Sequence, residues 1–204
     1  MPHARVTTRL LAGAALVLAL LGPRGGAAEP PPDRELDTLW ADLARKDPVK
    51  AHQAIAALVA RPAQTVPFLQ SKLRPVPAAD PRRLARLIED LDNSRFAVRR
   101  RATQELEQVG EPAAASLRQA LAGRPSLEVR RRIERLLEAQ KMHRLHPPPD
   151  QLRLARAVEV LEQIGNPEAG KVLASLAQGA PEALLTCDAQ GALGRLRRGA
   201  WGER

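Results

Sequence analysis

The chain has 204 residues, with 32 basic and 23 acidic side chains for a net charge of +9. Its 36 Ala and 31 Leu stand beside no Tyr, two Phe and two Trp. Strand formers and stacking platforms are both scarce, so the composition excludes a β-rich fold and any recognition of bases or sugars built on aromatic rings.

Residues 1–28 have the three parts of a secretory signal: Arg5 and Arg9 first, then the apolar run Leu10 to Leu21, then Gly25-Gly26-Ala27-Ala28. That run is too short for a membrane-spanning helix, which takes about 20 residues. The expectation is export, to the periplasm or outside the cell, with cleavage near Ala28; the alternative, given Arg24 ahead of that site, is a leader retained as a membrane anchor. Losing Arg5, Arg9 and Arg24 leaves 29 basic against 23 acidic residues, or +6. That sign favours an acidic surface or polyanion as partner, and export disfavours nucleic acid among them. With one Cys, an exported chain has no internal disulfide framework, and its fold must rest on its core.

After the leader the elements read as helices. Asp33 caps one carrying Leu36, Leu39, Trp40 and Leu43; Asp47-Pro48 opens another with Ala51, Ile55, Leu58 and Val59 on one side; Thr65 and Pro67 open a short third with Leu69 and Leu73. Residues 33–74 thus form a degenerate first repeat, as a capping unit should be, and the stretch from Arg74 to Asp80, with Pro75 and Pro77, is a corner or linker. Leu84, Leu87, Ile88 and Leu91 begin the next unit, 81–141, and His146-Pro147-Pro148-Pro149 is a stiff break before the last, 150–198. Residues 199–204 are expected to fray.

Within the two later units Gly-x-Pro recurs at Gly110, Gly123, Gly165 and Gly179, 13 and 14 residues apart within a pair and 55 and 56 between pairs. Glycine just past a helix end takes the left-handed cap, and proline at the next helix start loses no needed N–H, so each triplet is a stop followed by a start. The apolar stripes keep the same register. Val98, Ala102, Leu106 and Val109, then Leu117, Ala120 and Leu121, then Val129, Ile133, Leu136 and Leu137 are answered by Leu154, Val158, Leu161 and Ile164, then Val172, Leu173 and Leu176, then Leu185, Ala189, Leu193 and Leu196. Each copy is three consecutive helices, and Leu106-Glu107-Gln108-Val109-Gly110 returns as Leu161-Glu162-Gln163-Ile164-Gly165.

The fold expected is all-α, a short α-solenoid in which each unit buries its stripe against its sequence neighbours. The residues Leu87, Asp90, Leu91, Asp92, Phe96, Arg99, Ala102, Leu106, Gly110 and Ala113, with Ser126-Leu127-Glu128-Val129-Arg130-Arg131-Arg132 and Leu154-x-Arg156-Ala157-Val158-Glu159-Val160-Leu161-Glu162, carry a resemblance. Over roughly residues 84–198 the chain resembles the armadillo-type HEAT-like repeat segment that planctomycete bacteria append to WD40-repeat proteins. It departs from that form in lacking a propeller and in carrying its own leader. The resemblance implies the fold and a bacterial origin, and it brings no catalytic residues.

Little in the chain points to chemistry. His143 and His146 have i, i+3 spacing but no carboxylate or Cys to complete a metal set, and Asp90, Asp92 and Asn93 are too few for a Ca²⁺ loop and read as capping ahead of Phe96. Helical steps of 100° from the inward Val98 and Val129 put Arg99, Arg100, Arg130 and Arg131 on an outer face as one basic stripe, with Arg101 and Arg132 flanking the core; Glu105, Glu128 and Glu134 partly neutralise it. The same count from Leu185 turns Cys187 outward, as a candidate reactive thiol. The chain reads as an exported, non-catalytic protein-interaction scaffold with an unidentified protein partner and no cofactor or metal. The alternatives are a polyanion- or envelope-binding module using the Arg face and, because some HEAT-like proteins assist lyase reactions, a lyase-type accessory enzyme.

Overall fold

A computed structural model describes residues 32–202, with side-chain surroundings for 35–198, so the leader reading lies outside the described residues. Every regular element in that range is helical: α1 (Pro32–Asp42), α2 (Pro48–Val59), α3 (Pro62–Lys72), α4 (Pro81–Asp90), α5 (Phe96–Val109), a 3-10 turn (Glu111–Ala113), α6 (Ala114–Ala122), α7 (Leu127–Leu145), α8 (Pro149–Ile164), α9 (Pro167–Leu176) and α10 (Leu184–Gly202). The protein is all-α. No helix among the described residues is long and apolar enough to cross a membrane.

The local causes are short polar side chains placed before proline. Asp47 Oδ1 accepts the Val49 N–H at 2.9 Å ahead of α2, Asp80 Oδ1 accepts that of Arg82 at 3.0 Å ahead of α4, and Asn166 Oδ1 accepts that of Ala169 at 2.8 Å ahead of α9. Each satisfies an N–H that the helix itself leaves open. Helix α3 starts at Pro62, earlier than the Thr65–Pro67 start expected, and contains Pro67. Thr65 is instead buried at the α2–α3 corner, donating its hydroxyl to Leu58 O at 2.7 Å. Helix α10 continues to Gly202, four residues into the expected frayed tail.

The Gly-x-Pro corners all turn the chain, by different means. Gly110 and Gly165 take positive φ, at 66° and 61°. At the second corner Gly123 is right-handed and Arg124 carries the positive φ of 54° instead. Gly179 matters for space, since a Cβ there would lie 2.5 Å from Thr186 Oγ1 and 3.0 Å from Val76 N.

The apolar stripes assemble into two cores, and the assembly does not follow chain order. Leu84, Leu87, Leu91, Ala102, Leu106, Leu117, Ile133 and Leu136 make one core within α4–α7, the central bundle. The other core joins Leu43, Ile55, Leu58 and Leu69 from α1–α3 to Val158, Leu161, Leu173, Leu176 and Leu185 from α8–α10, the terminal bundle. The unit expected to cap the middle repeat is therefore packed on the last one. Arg156 of α8 donates from Nη1 to Leu43 O at 2.6 Å and to Arg45 O at 2.7 Å, closing the carbonyl end of the α1 region from across the sequence. Trp40 meets Phe68 edge to face at 6.3 Å and has the Arg153 guanidinium 5.4 Å from its ring centre. The middle repeat is an insertion between the two halves of the terminal bundle.

Candidate functional site

Two bundles joined by a mostly polar seam leave a cleft between them. The seam is built from the central bundle's Glu111, Arg118 and Arg144 against the 179–184 turn of the terminal bundle. Glu111 Oε2 accepts the Leu184 N–H at 2.7 Å, so a carboxylate caps the N-terminus of α10, where the helix dipole favours negative charge. Arg144 donates to Glu182 O at 2.9 Å and pairs with Glu111 at 3.4 Å; Arg118 pairs with the Glu182 carboxylate at 3.1 Å. Ala180 N donates to Val76 O at 2.8 Å, tying the linker into the same seam.

Two adjoining cavities open along this seam, about 460 Å³ on the central side and about 200 Å³ on the terminal side, and both are lined by Val76, Glu111 and Gln151. Gln151 Oε1 is shielded from solvent and has no partner. Asp188 lines the smaller cavity; burial, and next the Glu111 carboxylate, push its carboxyl up from its ordinary value against the pull of Arg195 and Arg144. His143 lines the larger cavity, yet no hydrogen bond joins it to a carboxylate among the described residues. No group of three or more His, Cys, Asp or Glu among the described residues is placed to hold a metal ion. The cleft offers an unsatisfied amide oxygen and a half-buried carboxylate, a lining suited to an N–H donor. Sequence spacing gave no signal for it, since Glu111, Gln151 and Asp188 meet only through the fold.

The expected basic stripe is changed in two ways. Arg99 does not project outward: it is half-buried, its Nη1 donating to Asn93 O at 2.7 Å and Ser94 O at 2.9 Å, with its guanidinium 5.8 Å from the Phe96 ring. The wheel places its Cβ correctly, but a long side chain reaches back to the carbonyls of the preceding loop. Arg100, Arg130 and Arg131 are exposed. Around Arg131, however, α7 presents Glu128, Glu134, Arg135 and Glu138, so this outer face alternates in sign. Arg132 is turned inward, pairing with Glu128 at 2.6 Å and donating to Leu91 O at 3.4 Å. Arg101 is exposed and, with Arg83 of α4, hydrogen-bonds Glu105 at 2.8 and 3.0 Å, which holds that carboxyl below its ordinary value.

The polar triplet Asp90, Asp92 and Asn93 does not cap α5 as expected, since that helix starts with no side-chain cap at Arg95; its members instead tie down the loop before it. Asn93 Oδ1 accepts the Arg95 N–H at 3.0 Å and Asp92 accepts the Ser126 hydroxyl at 3.0 Å. Cys187 is exposed, and its thiol lies 3.3 Å from Pro181 O.

No family model, curated protein or solved structure matches the chain. Its function is therefore argued from the cleft and the surfaces themselves.

Proposed function

We propose that the chain is an exported, non-catalytic interaction scaffold of HEAT-like helical units, whose protein partner lays an extended segment in the cleft between the bundles. The observation that carries this reading is the Gln151 amide oxygen, which is shielded yet accepts no hydrogen bond, beside the half-buried Asp188. Buried amide oxygens are nearly always satisfied, and an unused one at a cavity wall matches a peptide N–H of an extended segment. Asp188 then selects a basic or amide side chain on that segment. Polar side chains spread along a seam, with no nucleophile held by a base, fit binding better than turnover.

The test fills the cleft without touching a core. Ala139 lines the larger cavity and is exposed, so Ala139→Trp should leave the helical spectrum and melting unchanged. Affinity capture from the envelope fraction of the source cells should retain a protein on the parent chain that is lost on Ala139→Trp. Identical captured sets on both would refute the cleft as the docking site.

A further inference from the structure

The end of the central bundle farthest from the partner cleft's Gly110 corner carries a surface that the scaffold reading does not use. Helix α6 returns the chain between α5 and α7, so α5 and α7 both start at this end, where α4 finishes. Asp92–Ser126 at 3.0 Å and Arg132–Leu91 at 3.4 Å pin the two loops together. Each of the two helices opens on a large apolar residue left in water, Phe96 at 65% exposure and Leu127 at 63%. Phe96 is held in place by Arg99, which is itself fastened to the loop carbonyls.

Around this pair basic side chains outnumber acidic ones, with only Arg131 standing on the α7 face that alternates in sign. The segments 91–101 and 124–132 contain eight arginines against two carboxylates, Asp92 and Glu128. Glu128 is neutralised by Arg132. Arg95, Arg100, Arg124, Arg130 and Arg131 are exposed, and none has an ion pair among the described residues. Arg124 also holds the one left-handed non-glycine backbone among the described residues, a conformation that costs energy and persists here at an exposed tip.

We propose that this end attaches the protein to an anionic phospholipid surface, with Phe96 and Leu127 entering the headgroup boundary and the surrounding arginines taking the phosphates. Charge complementarity favours an anionic occupant. The two protruding apolar side chains distinguish a lipid surface from a soluble polyanion, which has nothing apolar to receive Leu127. This inference is independent of the partner cleft, because no residue is shared between them.

Vesicle flotation tests it, using the chain from Glu29 onward, which retains every residue of both bundles and omits the apolar leader that would attach to any bilayer. The chain should float with phosphatidylcholine–phosphatidylglycerol vesicles, stay behind with pure phosphatidylcholine, and be released by salt. Phe96→Ser with Leu127→Ser should weaken partitioning roughly tenfold or more, given two apolar side chains withdrawn from lipid. Arg95→Gln with Arg124→Gln and Arg130→Gln should do the same. Met142→Ser with Leu145→Ser, at the far end of α7, should leave it unchanged, and melting should show each variant folded. The proposal is overturned by absent flotation, by equal binding to neutral vesicles, or by equal loss from the far-end variant. Retention on heparin without vesicle binding overturns it in favour of a soluble polyanion.

Discussion

Asp188 and Cys187 sit one residue apart at the start of α10, and their different environments follow from the turn of the helix. Asp188 leans into the seam, where burial and Glu111 raise its carboxyl above the ordinary value. A carboxyl raised by folding binds its proton more tightly in the native state. Stability therefore falls as pH rises from the unfolded value through the folded one, and the burden is complete above that window. Asp188→Asn should melt higher than the parent at pH 7, with the gap closing as pH falls through the raised folded value and gone by about 4, where the parent carboxyl is neutral too. A lower melting point for the variant at pH 7 would contradict this. Cys187 points to solvent. It should label rapidly with a maleimide in the native reduced protein, and on a non-reducing gel the oxidised protein should run as a disulfide-linked dimer that Cys187→Ser abolishes. Labelling that waits for denaturant would count against it.

At the scale of elements, the repeated triplets of helices give the same core position twice, at Leu106 in α5 and Leu161 in α8. Both are fully buried, but in different cores. Leu→Ala at either should cost about 2–5 kcal/mol in urea unfolding, as a buried large-to-small change does. Because the cores are separate, the double variant should show additive losses. Losses that fail to add would mean the bundles share a core after all. These positions were legible from the period of the stripes, and so was the capped start at Asp47, whereas the caps at Asp80 and Asn166 emerged only in the structure. The corner at Gly123 was legible as a corner but not in its geometry, since neighbouring Arg124 adopts the left-handed turn in place of the glycine. Arg99 was misplaced for a related reason: the helical wheel fixes where a side chain starts, and hydrogen-bond acceptors nearby decide where it ends.

For the whole molecule, the consequence of the core assignment is a bundle interrupted by another bundle. Val76 and Gln151, on either side of the insertion, line the same two cavities, so the cut ends lie close together. Replacing 78–147 with a short Gly/Ser linker should leave α1–α3 and α8–α10 to fold as a helical unit with a cooperative thermal transition, read by circular dichroism. A linear stack would instead lose its middle and expose apolar faces on both sides, giving a non-cooperative or aggregated product.

The amino-acid sequence carries the helical class, the threefold helix pattern of each later unit, its duplication at 55 to 56 residues and most of the buried positions, because these depend on periodicity and on residues a few places apart. The pairing of the first unit with the last, the seam through Glu111, Arg144 and Glu182, and the cleft at Gln151 and Asp188 depend on contacts across tens of residues. An apolar stripe states that a helix face must be covered but not which helix covers it. In a chain whose units resemble one another this closely, several partners offer a similar Leu and Ala surface, and the choice falls to long-range contacts such as Arg156 closing the end of the α1 region.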